Sequence, residues 1–305
     1  MKLDKDSKIL ITGASGFIGS KLTQKISSCN ATVFYLVRNR DKASNQSNAI
    51  IVDITSPNIE LPDEYFDVVY HLASATPHEK NKKILEQVNL QGTKNLFNAV
   101  KDKTKSIVYV SGLTVFDSQY ENIDENTLIN PDTYYTKLRV MAQRYLEEHC
   151  LQNTIEYTTA HVGDIVYGNG GFFMSDMVSR LKRNRFRIPG DGMYVKNYVH
   201  VDDVVGALLA IIEHDKTNQS FIITGSNPAP FKDFVNCISS ELGMKNQRHV
   251  PEFLAKLAIG KDIVNLLTKS TSASNAKIMS IYNFQHPKYQ DGIKDVFNRL
   301  NHQKT

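Results

Sequence analysis

The stretch "KILITGASGFIGSKL" (residues 8–22) constrains the fold more than any other part of the chain. An apolar run, Lys8–Thr12, meets a glycine frame, Gly13-x-x-Gly16-x-x-Gly19, and then an amphipathic stretch from about Ile18 to Ser28. Glycines at these spacings let a strand end turn tightly and bring backbone N–H groups to an anion at a helix N-terminus. The same frame could serve a plain strand–turn–helix connection. Its place between the first strand and first helix of a repeating β–α chain selects a dinucleotide pyrophosphate instead. The predicted contacts are Gly13, Ser15, Gly16, Phe17, Ile18 and Gly19.

Further β-rich runs follow at 32–37, 49–54, 67–73, 106–111, 155–162 and 220–225, with helical patterns near 84–101 and 135–149. Apolar strands alternating with helices predict an α/β fold, a Rossmann-type doubly wound parallel sheet covered on both faces. After about residue 165 the alternation loosens. The expected organisation is a dinucleotide-binding domain over 1–164, rejoined by 197–225. A smaller C-terminal substrate-binding cap is expected over 165–196 and 226–305. Phe172, Phe173, Met174, Arg185 and Tyr194 are candidates for lining a cap pocket.

Composition narrows the partners. A net charge of +4 with no long basic run gives no electrostatic footprint for nucleic acid. The longest apolar run, 204–212, is too short to cross a bilayer, so no membrane partner is expected. Cys29, Cys150 and Cys237 form neither a metal spacing nor a disulfide framework, and the polar N-terminus is no signal peptide. These features suit a cytoplasmic protein.

The end of the second run speaks to cofactor choice. A site that selects NAD wants a carboxylate there for the ribose 2′-hydroxyl. This chain has Val37, Arg38 and Arg40 instead, which suits the 2′-phosphate of NADP, with NAD left open. Asp53 either accepts a bond from the adenine amino group or caps a turn.

Seven motifs in order resemble the extended short-chain dehydrogenase/reductase family of NAD(P)-dependent epimerases and dehydratases. They are "TGASGFIG" (12–19), "VDI" (52–54), "HLAS" (71–74), "NLQGTKNL" (89–96), "YVSGLTVF" (109–116), "NYVHVDDV" (197–204) and "HPKYQDGI" (286–293). The resemblance implies that Asp53 and Ile54 meet the adenine, that Leu72, Ala73 and Ser74 line the cofactor, and that Val162 lies beside it. It also implies a tyrosine, a lysine four residues later and a serine or threonine as the reacting groups, with hydride passing to or from the nicotinamide.

Three departures stand out. The hydroxyl position of strand five falls on Gly112, leaving Ser111 or Thr114 to polarise the substrate oxygen. His161 and Val162 replace the usual arginine and proline. His161 reads either as a general base or, more simply, as a hydrogen-bonded strand-end residue. In "YYTKLRVM" (134–141) no lysine stands four after either tyrosine. Tyr135 and Arg139 have the i, i+4 spacing that places them one turn apart; Tyr134 and Lys137 are the rival pair. The family helix continues with alanine, glutamate and leucine, and Ala142, Gln143 and Leu146 fit only the frame that starts at Tyr135. Arginine supplies the fixed charge but cannot give up a proton. The "HVDD" of 200–203 reads as a structural turn, and no metal is expected.

The resulting expectation is an NAD(P)-dependent oxidoreductase of the epimerase/dehydratase type, acting on a nucleotide sugar by transient hydride transfer. Tyr135 and Arg139, with Ser111 or Thr114, would do the chemistry and also touch the cofactor. An NADPH-dependent carbonyl reductase and a non-catalytic NAD(P)-binding sensor are the alternatives, and a homodimer is left open.

Overall fold

The computed structural model describes residues 3–39, 48–116, 121–171 and 176–302. Arg40, Phe172, Phe173 and Met174 lie outside the described residues. The seven strands of the main sheet are β1 (Lys8–Thr12), β2 (Thr32–Val37), β3 (Ala49–Ile51), β4 (Phe66–His71), β5 (Thr104–Gly112), β6 (Glu156–Val162) and β7 (Gln219–Ile223). Their order is β7-β6-β5-β4-β1-β2-β3. β1 pairs in parallel with both β2 and β4, Ile9 meeting Val33 on one side and Val68 on the other. The strand order reverses about β1, so the crevice at its carboxyl end is where a doubly wound sheet binds its ligand.

Several strand ends differ from the sequence expectation, and each has a local cause. β3 stops at Ile51 rather than 54 because Asp53 closes a turn, its Oδ1 accepting from Thr55 N–H at 2.9 Å and its carbonyl from Ser56 N–H at 2.9 Å. β4 stops at His71 rather than 73. The helical run near 84–101 is interrupted by a π-type turn, Gln87–Gln91, before helix α2 (Gly92–Val100).

By contact the chain forms two units. The first comprises Met1–Val115, Ile129–His161 and Val205–Phe221; the second comprises Phe116–Leu128, Val162–Val204 and Ile222–Thr305. The second unit therefore includes 116–128, 162–164, 197–204 and 222–225, which the sequence reading kept with the dinucleotide domain. Ile123 bridges Ala273 there and bonds Ser272 and Ser274 through its backbone.

In the first unit, helix α1 (Phe17–Ser27) follows the glycine turn and α3 (Tyr134–Gln152) supplies a second wall. Thr133 caps α3 in a reciprocal box with Thr136, which fixes where the helix begins. Leu138, Ala142, Leu146 and Cys150 then repeat every four residues along the buried face. They pack with Phe66, Val69, Phe97 and Tyr109.

The second unit has its own core of Tyr167, Tyr198, Phe231, Phe234, Tyr289 and Ile293. Tyr198 stacks on Phe234 at 4.2 Å. Tyr194 belongs to this core, stacked on Phe231 at 5.5 Å, and Arg185 is exposed. Tyr194 therefore packs as part of the core.

Candidate active site

The glycine turn is shaped by two close approaches. Gly13 has φ +69, and a Cβ there would stand 2.7 Å from Ala73 N. A Cβ on Gly19 would collide with the Gly13 carbonyl oxygen. These two glycines let the turn and α1 close over the Leu72–Ala73 backbone. Gly16 differs. It has extended backbone at the N-cap of α1, and a Cβ there would meet only Gly13 O, at 3.1 Å. Among the described residues no side chain caps the N-terminus of α1, and its first turn holds no acidic residue. Its orphan N–H groups and positive dipole end thus fit a phosphate. Ser15 and Gly16 are exposed there, with Phe17 and Ile18 half-buried.

Beside the turn, two buried threonines and a histidine make a continuous chain of bonds. Ala73 N–H donates to Thr12 Oγ1 at 3.2 Å, and Thr12 Oγ1 meets His71 Nδ1 at 2.7 Å. His71 Nε2 meets Thr93 Oγ1 at 2.9 Å, and Thr93 donates onward to the Asn89 carbonyl at 2.9 Å. Since Thr93 gives its proton to Asn89, it accepts from His71 Nε2–H, and Nδ1 is the acceptor from Thr12. Burial, then the charge of Arg139, pushes His71 down to about 3, so the ring is neutral. Asn89 also accepts from Ser74 Oγ and Ala75 N–H, at 3.0 and 2.8 Å. The loop after β4 that the resemblance assigns to the cofactor is therefore held by side chains on the helical run after it. The histidine of "HLAS" carries that role, which sequence reasoning missed.

At the ends of β2 and β3, Val37 is buried and Arg38 exposed. The exposed Asp53 makes its turn bond while one carboxylate oxygen stays available. Ile54 is buried and its carbonyl accepts from Asn95 Nδ2 at 3.1 Å.

On α3 the two tyrosines part company. Tyr134 donates to Glu86 Oε2 at 3.1 Å and carries the Lys82 ammonium 5.2 Å from its ring. Partial burial and the Glu86 carboxylate push its hydroxyl up from the ordinary phenol range. Lys137 is exposed. Tyr135 is half-buried and Arg139 is 4% exposed. The Arg139 Nη2 donates to the Val110 carbonyl, and the guanidinium lies 4.5 Å from the centre of the Tyr109 ring. Among the described residues its Nη1 has no hydrogen-bond partner, and neither does the buried Ser111 Oγ. Tyr109 and Ser111 are two residues apart on β5 and so share a face, the signal in "YVS" that could have placed Tyr109 at the site. Burial raises Tyr109 to about 12; Arg139 opposes that rise and Tyr135 adds to it. Tyr109 thus feels both members of the predicted pair.

No carboxylate among the described residues pairs with Arg139. A buried cation in that state is costly unless a ligand's polar groups reach it. The orphaned Nη1 and Ser111 Oγ are donors for which hydroxyls of a nicotinamide ribose or substrate are suitable acceptors. Thr114 lies half-buried in the turn Leu113–Val115. Gly112 has no side chain to offer, and His161 hydrogen-bonds its backbone. Burial pushes His161 down to about 4, so it is a neutral strand-end residue. Val162 ends β6 and is buried.

The second unit brings His200, Asp203 and His286 together, with ligand atoms within 4.8 Å of one another. Asp203 is the hub. It accepts from Tyr282 Oη at 3.0 Å, Gln285 N–H at 2.6 Å and His286 N–H at 2.9 Å. His200 Nδ1 accepts from Asp202 N–H at 3.2 Å, which leaves the ring proton on Nε2, where a metal would need a lone pair. His286 sits between Asp203 and Asp295, at 3.5 and 3.2 Å, and these carboxylates favour its protonated form. The cluster is a charge network tying the 282–286 segment to "HVDD".

A doubly wound parallel sheet with a glycine turn leading from its first strand into α1 is the arrangement of a dinucleotide-binding protein. The family model for the NAD dependent epimerase/dehydratase family matches residues 9–224, and the chain belongs to that family. Relatives include a 3-diazoavenalumate denitrifying reductase of a Streptomyces species, 23% identical over 94% of this chain and 99% of the relative. A putative UDP-glucose 4-epimerase of Methanocaldococcus jannaschii is 24% identical over 78% of this chain and 84% of its own. Among solved structures, the human epimerase family protein SDR39U1 with NADPH has a TM-score of 0.81 at 18% identity, covering 95% of this chain and 99% of that one. MoeE5 in complex with UDP-glucose and NAD also scores 0.81, at 20% identity over 98% and 100%. Such neighbours hold NAD or NADPH. Among the described residues no helix is long and apolar enough to cross a membrane.

Proposed function

We propose that this chain is an NADP(H)-using oxidoreductase that acts on a hydroxyl or carbonyl carbon of a nucleotide sugar, in an epimerase or dehydratase cycle. The supporting observation is the buried guanidinium of Arg139, paired with no carboxylate among the described residues. Its Nη1 and the Ser111 Oγ are buried donors without a hydrogen-bond partner among the described residues. The nucleotide-sugar part follows the family and the UDP-glucose bound by MoeE5.

When bound, the nicotinamide accepts or returns the hydride. Tyr135 takes the proton from the substrate hydroxyl or returns it to the carbonyl oxygen. Arg139, one turn on, stabilises negative charge on the Tyr135 oxygen; because it keeps its proton, proton exchange with solvent must run by another route. Ser111 Oγ donates to the substrate oxygen, and the absence of a hydroxyl at Gly112 leaves that duty to it or to Thr114. Gly13, Gly16 and the start of α1 would hold the pyrophosphate, and Arg38 would meet the 2′-phosphate.

The carbonyl-reductase reading is favoured by one feature, the buried Val37 followed by exposed Arg38 where an NAD site would carry a carboxylate. The deciding experiment is thermal-shift screening of nucleotide sugars with NADP present, followed by turnover of each hit, since a bound ligand raises stability by mass action. Stabilisation and turnover without net cofactor consumption supports the epimerase or dehydratase cycle. Net NADPH oxidation on a carbonyl substrate supports the reductase. Cofactor binding with no turnover of any substrate overturns both in favour of a sensor.

A further inference from the structure

In the second unit, helix α6 (Glu252–Ile259) turns its apolar residues outward. Only Ala255 of its eight residues is buried; Phe253, Leu254 and Leu257 are 64%, 44% and 82% exposed. Phe253 and Leu257 are one turn apart and Leu254 lies three before Leu257, so the three form one outward stripe. The helix is nonetheless anchored. It joins α7 (Lys261–Thr268) through Gly260 at φ 98, Val264 of α7 is buried, and the carbonyl of Leu266 accepts from the buried ammonium of Lys196 at 2.9 Å.

The sequence flanking this helix is one-sided in charge. Residues 245–269 carry Lys245, Arg248, Lys256, Lys261 and Lys269 against Glu252 and Asp262. These 25 residues hold three of the four net positive charges of the 305-residue chain. Lys256 is paired with Glu252 at 3.2 Å. Lys245, Arg248 and Lys261 are exposed, and no carboxylate among the described residues neutralises them. A second copy of the chain would bring the same positive charge against itself. An anionic lipid surface offers the opposite charge and an apolar layer beneath it.

We propose that α6 seats the protein on an anionic lipid surface, with Phe253, Leu254 and Leu257 at the headgroup–acyl boundary and Lys245, Arg248 and Lys261 facing the headgroups. The sequence expectation of no membrane partner rested on the lack of a spanning run, and lying on a surface needs no span.

The test is co-sedimentation of the full chain with vesicles of phosphatidylcholine alone and of phosphatidylcholine mixed with phosphatidylglycerol. Binding to the mixed vesicles is expected, weakening as salt rises. Phe253→Ser with Leu257→Ser should reduce that binding about tenfold, by removing the inserted apolar groups. Neutralising Arg248 or Lys261 with glutamine should cost about fivefold each, from roughly 1 kcal/mol per cation near such a surface. Melting temperature and NADP binding of each variant should match the parent. No binding to mixed vesicles at low salt, or binding indifferent to the Phe253 and Leu257 changes, overturns the proposal. A parent that is dimeric by light scattering and becomes monomeric in the double variant also overturns it, assigning the face to a second copy.

Discussion

Arg139 is buried where the family resemblance implies a lysine, and its bonds suggest how the exchange is tolerated. The Val110 carbonyl and the Tyr109 ring take up one amino group and one face of the guanidinium, leaving Nη1 free. Arg139→Ala should lose most activity, whereas Arg139→Lys should retain or raise it. Tyr135→Phe should lower turnover at least ~100-fold, the lower range for general acid–base catalysis. Tyr134→Phe, which only releases Glu86, should cost far less, and Lys137→Ala should be mild. Steady-state rates on the substrate found by screening decide between the pairs, and collapse of Tyr134→Phe with an intact Tyr135→Phe would reverse the assignment. The glycines separate by the same reasoning. Gly16→Val should abolish NADP binding by calorimetry while the variant still folds, because its backbone is extended and Gly13 O need give by only a few tenths of an ångström. Gly13→Ala should destabilise by more than about 1 kcal/mol, since its φ is positive and its Cβ has no room.

Elements show how much was legible beforehand. The β1–turn–α1 unit was readable because its pattern is local: an apolar strand, three spaced glycines and an amphipathic helix. The choice between its tyrosines remains part of the proposal, but helix α3 itself, expected near 135–149 and found at Tyr134–Gln152, was readable as an element too. The joints between elements were not. The Thr12–His71–Thr93 chain links residues 59 and 22 positions apart, and no short window of sequence holds them together. His71→Leu should cost about 1–3 kcal/mol in denaturant unfolding, the range for stranding buried hydroxyls. The Asp203 hub is equally non-local and carries a pH signature. Hydrogen bonding to Asp203 and the charges of Asp203 and Asp295 raise His286, with burial opposing. A raised value in the fold means its contribution is complete below about 6.5, the unfolded value, and fades as pH climbs through the raised one. Melting temperature should therefore fall across that interval in the parent and fall less in His286→Gln.

At the scale of the whole molecule, cofactor choice and domain limits are the informative quantities. Calorimetry should give tighter binding of NADP than of NAD, and Arg38→Asp should narrow or reverse the difference; equal affinities in the parent would remove Arg38 from the 2′-phosphate. Composition gave the net charge but could not show that three of its four positive charges flank an exposed apolar helix in the sequence, because that exposure depends on which face of α6 is turned outward. The sequence reading changes domain three times, after residues 164, 196 and 225. The polypeptide in fact changes unit five times, after Val115, Leu128, His161, Val204 and Phe221. No single cut of the chain can therefore release either unit as a continuous piece. A protease nick anywhere leaves two fragments of which at least one holds parts of both units. Splitting the gene at residue 164 would leave β7 on the other fragment, so such halves are expected to regain cofactor binding only when produced together.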